Sequence, residues 1–273
     1  MNDRSSRFID ANGIKLHLEE QGSGPPVLLL HGLGSSAFDW SRVAPLLPGF
    51  RLLMPDARGH GQSDKPAGKY GVALSAHDIA AMLDALGLKS VHVVGLSMGG
   101  MIGFQLAVDR PDLVGSLTAI NSGPSMAVKG IAMRVALTIR TFVIRTFGPA
   151  AMARMIAKKL FPEPSQQAMR DEVEKRIGAN DRDVYLRSTQ GLIGWTMEER
   201  LGELKCPVLV VGSEHDYTTV DFKRAYTDKI KGARLEVIKG SRHFATFDAP
   251  EAVAALLNPF LQSAGTERTT KAS

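Results

Sequence analysis

Short apolar runs alternate with helical segments along most of this chain, and that alternation constrains the fold more than any other feature. The runs have the composition of strands buried on both faces: Val27–Leu30, Arg51–Met54, Val91–Val94, Ser116–Ile120, Val208–Val211 and Leu235–Ile238. The segments between and after them include predicted helices: Leu74–Leu86, Met98–Asp109, Asp221–Ile230 and Glu251–Gln262. This pattern predicts an α/β fold, a mostly parallel central sheet flanked by helices.

The N-terminal residues depart from this alternation. Two strand-like segments, Arg7–Asp10 and Ile14–Glu20, flank the dipeptide Asn12-Gly13. This dipeptide is the strongest short signal for a β-hairpin. We therefore expect a hairpin before the parallel strands begin.

The alternation breaks once, between Ile120 and Pro207, where no strand is predicted and the composition turns to Ala, Met, Ile and Arg. A stretch of ~85 residues is far too long for a plain connection in an α/β unit. We predict a helical cap inserted over residues 123–200, in a core formed by 1–122 and 201–262. The small, polar tail 263–273 is expected to be disordered.

Composition argues against several classes of protein. No apolar run approaches the ~20 residues that span a bilayer, and the N-terminus lacks the hydrophobic stretch of a secretory signal. Cys206 is the single cysteine, which excludes an intramolecular disulfide. We expect a soluble, cytoplasmic protein. The net charge is +5, but few aromatics and no nucleic-acid motif accompany the cations, which argues against nucleic-acid binding.

Polar residues that can do chemistry follow three of the predicted strands. A G-x-S-x-G pattern over 95–99 places Ser97 directly after one strand. Asp216 and Glu214 follow a later strand, and His243 follows the last. Because functional residues gather at the carboxyl ends of strands in open α/β sheets, we expect these side chains to converge.

The order of a serine, an acid and a histidine, each ending a different strand, resembles the α/β-hydrolase family over nearly the whole chain. The resemblance is to serine hydrolases of the esterase type with a helical cap. It implies that Ser97 is a nucleophile, that His243 is its general base and that Asp216 orients the histidine. It also implies an oxyanion hole formed by the backbone N–H groups of Leu33, in an H-G-L-G turn, and Met98.

Each assignment has a simpler alternative. Ser97 could be an ordinary turn residue, and Asp216 could cap a helix while Glu214 serves as the acid. His215 could contact the substrate. Some members of the family carry the acid one strand earlier, where this chain has Asn121, which cannot act as a carboxylate. The His and Asp residues here lack the spacing of a metal site, so we expect neither metal nor cofactor.

The first half of the cap is apolar apart from one polar stripe, formed by Arg134, Thr138, Thr141 and Arg145. Such a helix is expected to bury more than one side, one of them over the active site. An apolar pocket follows, with tentative lining residues Phe38, Met126, Met133 and Phe142, although core packing is the alternative for each. We therefore expect a substrate with a hydrophobic part.

The segment Leu113–Pro162 contains no Asp or Glu but seven cations: Lys129, Arg134, Arg140, Arg145, Arg154, Lys158 and Lys159. A surface of one sign raises the local concentration of anions. It could favour anionic substrates or contact a membrane surface, or the cations could simply be solvated.

The predicted function is hydrolysis of a small-molecule carboxylic ester through an acyl-enzyme. Lactonases, carbon–carbon bond hydrolases and cofactor-free haloperoxidases or perhydrolases use the same set of residues in this family. A slow or non-catalytic ligand receptor of the same fold is a further alternative. Nothing in the sequence indicates the oligomeric state.

Overall fold

A single sheet forms the centre of the molecule. The computed structural model describes residues 4–128 and 130–269, and the sheet has eight strands in the order β1-β2-β4-β3-β5-β6-β7-β8. The strands are β1 (Arg4–Ala11), β2 (Ile14–Gln21), β3 (Pro26–Leu30), β4 (Arg51–Pro55), β5 (Val91–Leu96), β6 (Val114–Ile120), β7 (Val208–Ser213) and β8 (Arg234–Ile238). The β1–β2 hairpin and the β2–β4 pair are antiparallel, and every other pair is parallel. The predicted α/β fold is confirmed.

The sheet is covered on both faces because its strands carry apolar side chains on both. In β3, Val27 and Leu29 join one apolar cluster, while Leu28 and Leu30 join the other. This follows from the two-residue period of a strand. Every residue of β5, β6 and β7 is buried, so the carboxyl ends of these strands are fixed by the core.

Eight α-helices surround the sheet or form the insertion in the described part of the chain. They are α1 (Val72–Ala85), α2 (Met98–Asp109), α3 (Gly130–Leu160), α4 (Gln167–Gly178), α5 (Arg182–Leu192), α6 (Val220–Thr227), α7 (Ala245–Asp248) and α8 (Pro250–Thr269). Helix α3 bends at Gly148, which has φ 79° and ψ 176°, just before Pro149. Proline has no backbone N–H to donate, so a break at this point is expected.

The C-terminal helix is longer than the sequence indicated. Helix α8 continues through Thr269, so residues 263–269 are helical where a disordered tail was expected. Leu261 and Ala264 are both buried. The apolar face of the helix therefore extends beyond Gln262, which the polar composition of the tail concealed. Residues 270–273 of the expected tail lie outside the described residues.

Helices α3, α4 and α5, the cap helices, lie between β6 and β7 in the chain. The two ends of this insertion meet in an antiparallel bridge between Ser125 and Thr196. Backbone N–H groups of Met126 and Met197 also donate across it, to Trp195 and Pro124. The insertion therefore leaves and re-enters the core at one place.

Candidate active site

Ser97 lies in a sharp turn between β5 and α2. Its backbone has φ 52° and ψ −113°, a conformation that is strained for a residue with a side chain. The turn is possible because its neighbours are small. A Cβ at Gly99 would overlap the carbonyl oxygen of Leu30, and a Cβ at Gly95 would overlap the backbone of Gly99. The G-x-S-x-G spacing is thus a steric requirement of this strand–turn–helix.

Asp216 and His243 come together from the loops after β7 and β8. His243 Nδ1 lies 2.5 Å from Asp216 Oδ1, and the backbone N–H of His215 donates to Ser241 O to join the two loops. Asp216 has no exposed side-chain surface, while 19% of the His243 side chain is exposed. The bond at Nδ1 leaves Nε2 of His243 free to act toward a ligand.

Glu214, the alternative acid, has a different partner. Glu214 accepts a hydrogen bond from the backbone N–H of Gly240 and is about half exposed, as is His215 beside it. The acid that bonds the histidine is therefore Asp216. His215 makes no hydrogen bond to Asp216 or His243 in the described part of the chain.

Ser97 and His243 are connected through the residues that follow β6. Ser97 N–H donates to Ile120 O at 2.9 Å, and Ser122 Oγ donates to Ser97 O at 2.6 Å. Asn121 Nδ2 donates to His243 O at 3.0 Å. Within the described residues no hydrogen bond joins Ser97 Oγ to the His243 ring. The two side chains thus belong to one end of the sheet without being engaged with each other.

Asn121 fixes the loop that carries His243. Its Nδ2 donates to Ser213 Oγ and to the carbonyl oxygens of Arg242 and His243, and its Oδ1 accepts from Ser213 N–H. Asn121 has φ 44°, a left-handed conformation that asparagine tolerates better than most residues. The position considered for a carboxylate is therefore occupied by a residue that anchors the histidine loop.

A buried lysine pairs with the second oxygen of Asp216. Lys223, on α6, has no exposed side-chain surface, and its Nζ lies 2.5 Å from Asp216 Oδ2. The same ammonium group donates to the carbonyl oxygen and the hydroxyl of Thr218. Lys223 was not among the residues predicted for the site. Its signal was helical spacing, since Lys223 shares the buried face of α6 with Tyr226 and Thr227.

The charge states of Asp216 and Lys223 follow from their surroundings. Burial alone would raise the pKa of Asp216. The hydrogen bond and charge of His243, together with the charge of Lys223, outweigh burial and hold the pKa of Asp216 well below its usual range. Burial lowers the pKa of Lys223, against the opposing effect of Asp216. Asp216 is therefore an ionised carboxylate shared between His243 and Lys223.

The turn after β3 holds the other predicted donor. Asp39 accepts hydrogen bonds from Gly32 N–H, at 2.8 Å, and from Ser35 Oγ, and burial raises its pKa to about 6. Leu33 lies between these two anchored residues. Among the hydrogen bonds of the described residues, none is donated by the backbone N–H of Leu33 or Met98. Met98 is the first residue of α2, where a helix provides no acceptor for the N–H.

Cap residues cover this end of the sheet. Tyr217 stacks on His243 with 4.4 Å between ring centroids, and Lys159 Nζ lies 4.8 Å from the Tyr217 centroid. Tyr185 packs so closely on Gly34 that a Cβ there would lie 2.6 Å from its ring. Arg140 Nη2 donates to Tyr185 OH at 3.3 Å, and its buried Nε has no hydrogen-bond partner among the described residues. A guanidinium group therefore lies beside Tyr185, which packs on the H-G-L-G turn.

The four tentative pocket residues fall in different places. Phe38 is half-buried between Phe247 and the guanidinium of Arg176, which lies 3.5 Å from its ring centroid. Met126 and Met133 are half-buried. Phe142 is 58% exposed and touches Phe147 on the surface. It lies on the side of α3 opposite the buried Ile144 and borders an open groove, so its place in an active-site pocket stays a prediction.

None of the helices in the described part of the chain is long and apolar enough to cross a membrane. Over the same residues, no three His, Cys, Asp or Glu side chains cluster as the ligands of a metal ion would.

The fold and the insertion after β6 define an α/β-hydrolase architecture. Residues 25–250 match the family model of the alpha/beta hydrolase fold. The chain therefore belongs to the α/β-hydrolase family, a family of hydrolases that act on small molecules. It is 31% identical over 243 residues to the putative carbamate hydrolase RutD of Caulobacter sp. (strain K31), covering 85% of this chain and 89% of that protein.

Two solved structures share this fold. The enol-lactonase from Burkholderia xenovorans LB400 superposes with a TM-score of 0.86 at 24% identity, covering 94% of this chain and 100% of the other. The esterase EaEST from Exiguobacterium antarcticum gives a TM-score of 0.87 at 22% identity, with the same 94% and 100% coverage. At these identities the likeness concerns the fold.

Proposed function

We propose that this protein is a serine hydrolase that cleaves a carboxylic ester through an acyl-enzyme. The observation that carries the proposal is the 2.5 Å bond between Asp216 and His243 Nδ1, at the same end of the sheet as the strained turn of Ser97. A base held by an acid, beside a serine on such a turn, is the arrangement that activates a hydroxyl nucleophile.

The proposed reaction has two halves. Ser97 Oγ attacks the ester carbonyl carbon while His243 Nε2 takes the hydroxyl proton. The C–O bond to the alcohol then breaks, and His243 returns the proton to the departing alcohol. In the second half, water loses a proton to His243 as it attacks the acyl carbon, and the acid leaves as Ser97 recovers its proton. Asp216 stays ionised and favours the imidazolium at both stages.

The oxyanion that forms on the carbonyl oxygen needs donors that do not have to reorganise. The N–H groups of Leu33 and Met98 are our candidates because neither has an acceptor within the described residues. Asp39 would keep the Leu33 turn in place through its bonds to Gly32 and Ser35. Donors of this kind contribute roughly 3–4 kcal/mol each to transition-state stabilisation.

We further propose that the substrate carries an anionic group. Arg140 supports this, because its buried Nε has no partner within the described residues and its guanidinium contacts Tyr185, which packs on the H-G-L-G turn. Arginine binds carboxylates with a planar pair of donors, so an acidic group on the substrate would satisfy it. A hydrophobic part could pack on Phe38, Met126 or Met133 nearby, which stay tentative pocket residues.

The test is a panel of p-nitrophenyl esters and lactones with neutral and carboxylate-bearing acyl chains. We expect ester turnover, and Ser97→Ala should lower kcat by a factor of at least about 10⁴. The matched control is Ser263→Ala, at an exposed serine on α8 whose hydroxyl donates to the carbonyl oxygen of Phe260. Turnover of lactones but not esters would favour the lactonase alternative. If the parent protein turns over none of these substrates, the receptor alternative is favoured.

Arg140 is tested in the same panel. Arg140→Gln should lower kcat/KM for carboxylate-bearing esters by about tenfold or more while neutral esters are affected little, because a charge-assisted hydrogen bond contributes ~1.5–3 kcal/mol. Arg154→Gln, at an exposed cap position, serves as the control for net charge. An equal effect of Arg140→Gln on both kinds of ester would remove the anionic-substrate proposal and leave the ester-hydrolase proposal standing.

A further inference from the structure

The outer face of the cap carries an uncovered apolar stripe. Ile131, Val135, Ile139 and Phe142 recur at helical spacing along α3 and are 81%, 51%, 50% and 58% exposed. Phe147, 62% exposed, extends the stripe through its ring contact with Phe142. Contiguous exposed apolar surface of this kind marks an interaction site.

Cations flank this stripe on one side. Arg134 and Arg145 lie on the adjoining face of α3 and line an open groove of about 560 Å³ together with Leu137, Phe142 and Ile193. No acidic residue occurs from Leu113 to Pro162 to neutralise them. The helix therefore presents apolar side chains beside positive charge, the pattern of a helix that lies in a membrane interface.

We infer that the stripe Ile131–Val135–Ile139–Phe142 docks the cap on an anionic lipid surface. The apolar side chains would enter the boundary between headgroups and acyl chains, and Arg134 and Arg145 would bind lipid phosphates. The occupant is a membrane rather than a second copy of this chain, because two copies joined through this face would bring their arginines together. The docked helix would lie on the surface, since no helix in the described chain is suited to spanning it.

The inference does not depend on the proposed chemistry. The two sides of the cap would then have different roles. The outer side would meet lipid, while Arg140 and Lys159 on the same helix α3 approach Tyr185 and Tyr217 near the candidate active site. A substrate that partitions into the lipid surface would then be delivered close to Ser97.

Vesicle co-sedimentation of the full chain tests the inference. Vesicles of phosphatidylcholine alone are compared with vesicles that also contain phosphatidylglycerol, at low and high salt. We expect binding to the anionic vesicles, weakened by salt because exposed charges are screened. Equal binding to both kinds of vesicle, or no binding to either, would overturn the inference.

Variants assign the binding to the stripe. Val135→Glu and Ile139→Glu should each lower the partition coefficient by about tenfold, whereas Val237→Glu, at an exposed valine on β8, should leave it unchanged. Arg134→Gln combined with Arg145→Gln should reduce both binding and its salt dependence without adding charge to an apolar face. Thermal unfolding and turnover of a soluble ester show that each variant is folded.

Sedimentation velocity without lipid separates the membrane from a second copy. We expect a sedimentation coefficient that does not change with concentration. Concentration-dependent dimerisation that Val135→Glu abolishes and Val237→Glu does not would assign the stripe to self-association and overturn the inference.

Discussion

Lys223 Nζ lies 2.5 Å from Oδ2 of Asp216, and neither side chain has any exposed surface. The carboxylate is thus held from two sides, by the imidazole of His243 at Oδ1 and by an ammonium group at Oδ2. Gly212 makes room for this lysine, since a Cβ there would lie 2.8 Å from Lys223 Cδ. Lys223 shares the negative charge that would otherwise act on His243 alone.

Replacing Lys223 should therefore lower the activity of the folded protein. In Lys223→Met the carboxylate of Asp216 loses the ammonium group that fixes Oδ2 and is held only through Oδ1, so it orients the imidazole of His243 less well. We expect kcat to fall by roughly tenfold with KM little changed. The measurement is kcat and KM for a p-nitrophenyl ester.

The control for this prediction is Lys229→Met, at an exposed lysine beyond α6. Breaking a buried ion pair costs several kcal/mol of stability, so Lys223→Gln, which keeps a donor, is measured alongside by chemical unfolding. A folded Lys223 variant with unchanged kcat would mean that the lysine only supports the loop.

Asp39 gives the fold a pH dependence of known sign. Burial raises the pKa of Asp39 from 3.8 to about 6, so the folded protein binds this proton more tightly than the unfolded chain does. The contribution of Asp39 to the free energy of unfolding therefore falls as the pH rises from about 4 to about 6. Asp39→Asn should remove that fall.

The measurement is urea unfolding of Asp39→Asn and of the parent protein across this range. The stability of the variant relative to the parent should increase with pH by at most about 3 kcal/mol, the value of a shift of this size. Asp221→Asn, at an exposed aspartate on α6, should show the same pH dependence of the free energy of unfolding as the parent. A difference between Asp39→Asn and the parent that stays constant with pH would contradict the prediction.

Much of the fold could be predicted because periodicity reports it directly. Each predicted strand has a counterpart in the sheet, and Gly95 and Gly99 indicated the close approach of β5 and α2. Lys223 could not be predicted, because a lysine on the apolar face of a helix usually extends its charge to solvent. The bond between Asp216 and His243, rather than one to Glu214, depends on how two loops from distant parts of the chain meet. The apolar stripe of α3 was expected to be buried, since hydrophobicity alone does not distinguish a covered face from an uncovered one.

Asn121 should affect activity through the position of His243. Asn121→Ala removes the donors to the carbonyl oxygens of Arg242 and His243, so the loop loses its link to β6 and β7. We expect a loss of about 2 kcal/mol in the free energy of unfolding and a fall in kcat of roughly tenfold or more with KM little changed. Steady-state kinetics and urea unfolding measure the two effects.

Asn258→Ala is the matched control for Asn121→Ala. Asn258 also donates its amide to two carbonyl oxygens, those of Leu46 and Ala254, but on α8. It should lower stability without lowering kcat. If the two variants lose stability and activity to the same extent, Asn121 has no specific role in positioning His243.

We propose Ser97 as the nucleophile, and the mass of the protein during turnover shows whether this serine is acylated. A reaction with a p-nitrophenyl ester is quenched with acid within the first turnover, and the peptide carrying the acyl group is identified by tandem mass spectrometry. We expect one acyl group per chain, on Ser97, and none in Ser97→Ala. An acyl group on another residue, or unchanged turnover in Ser97→Ala, would contradict it.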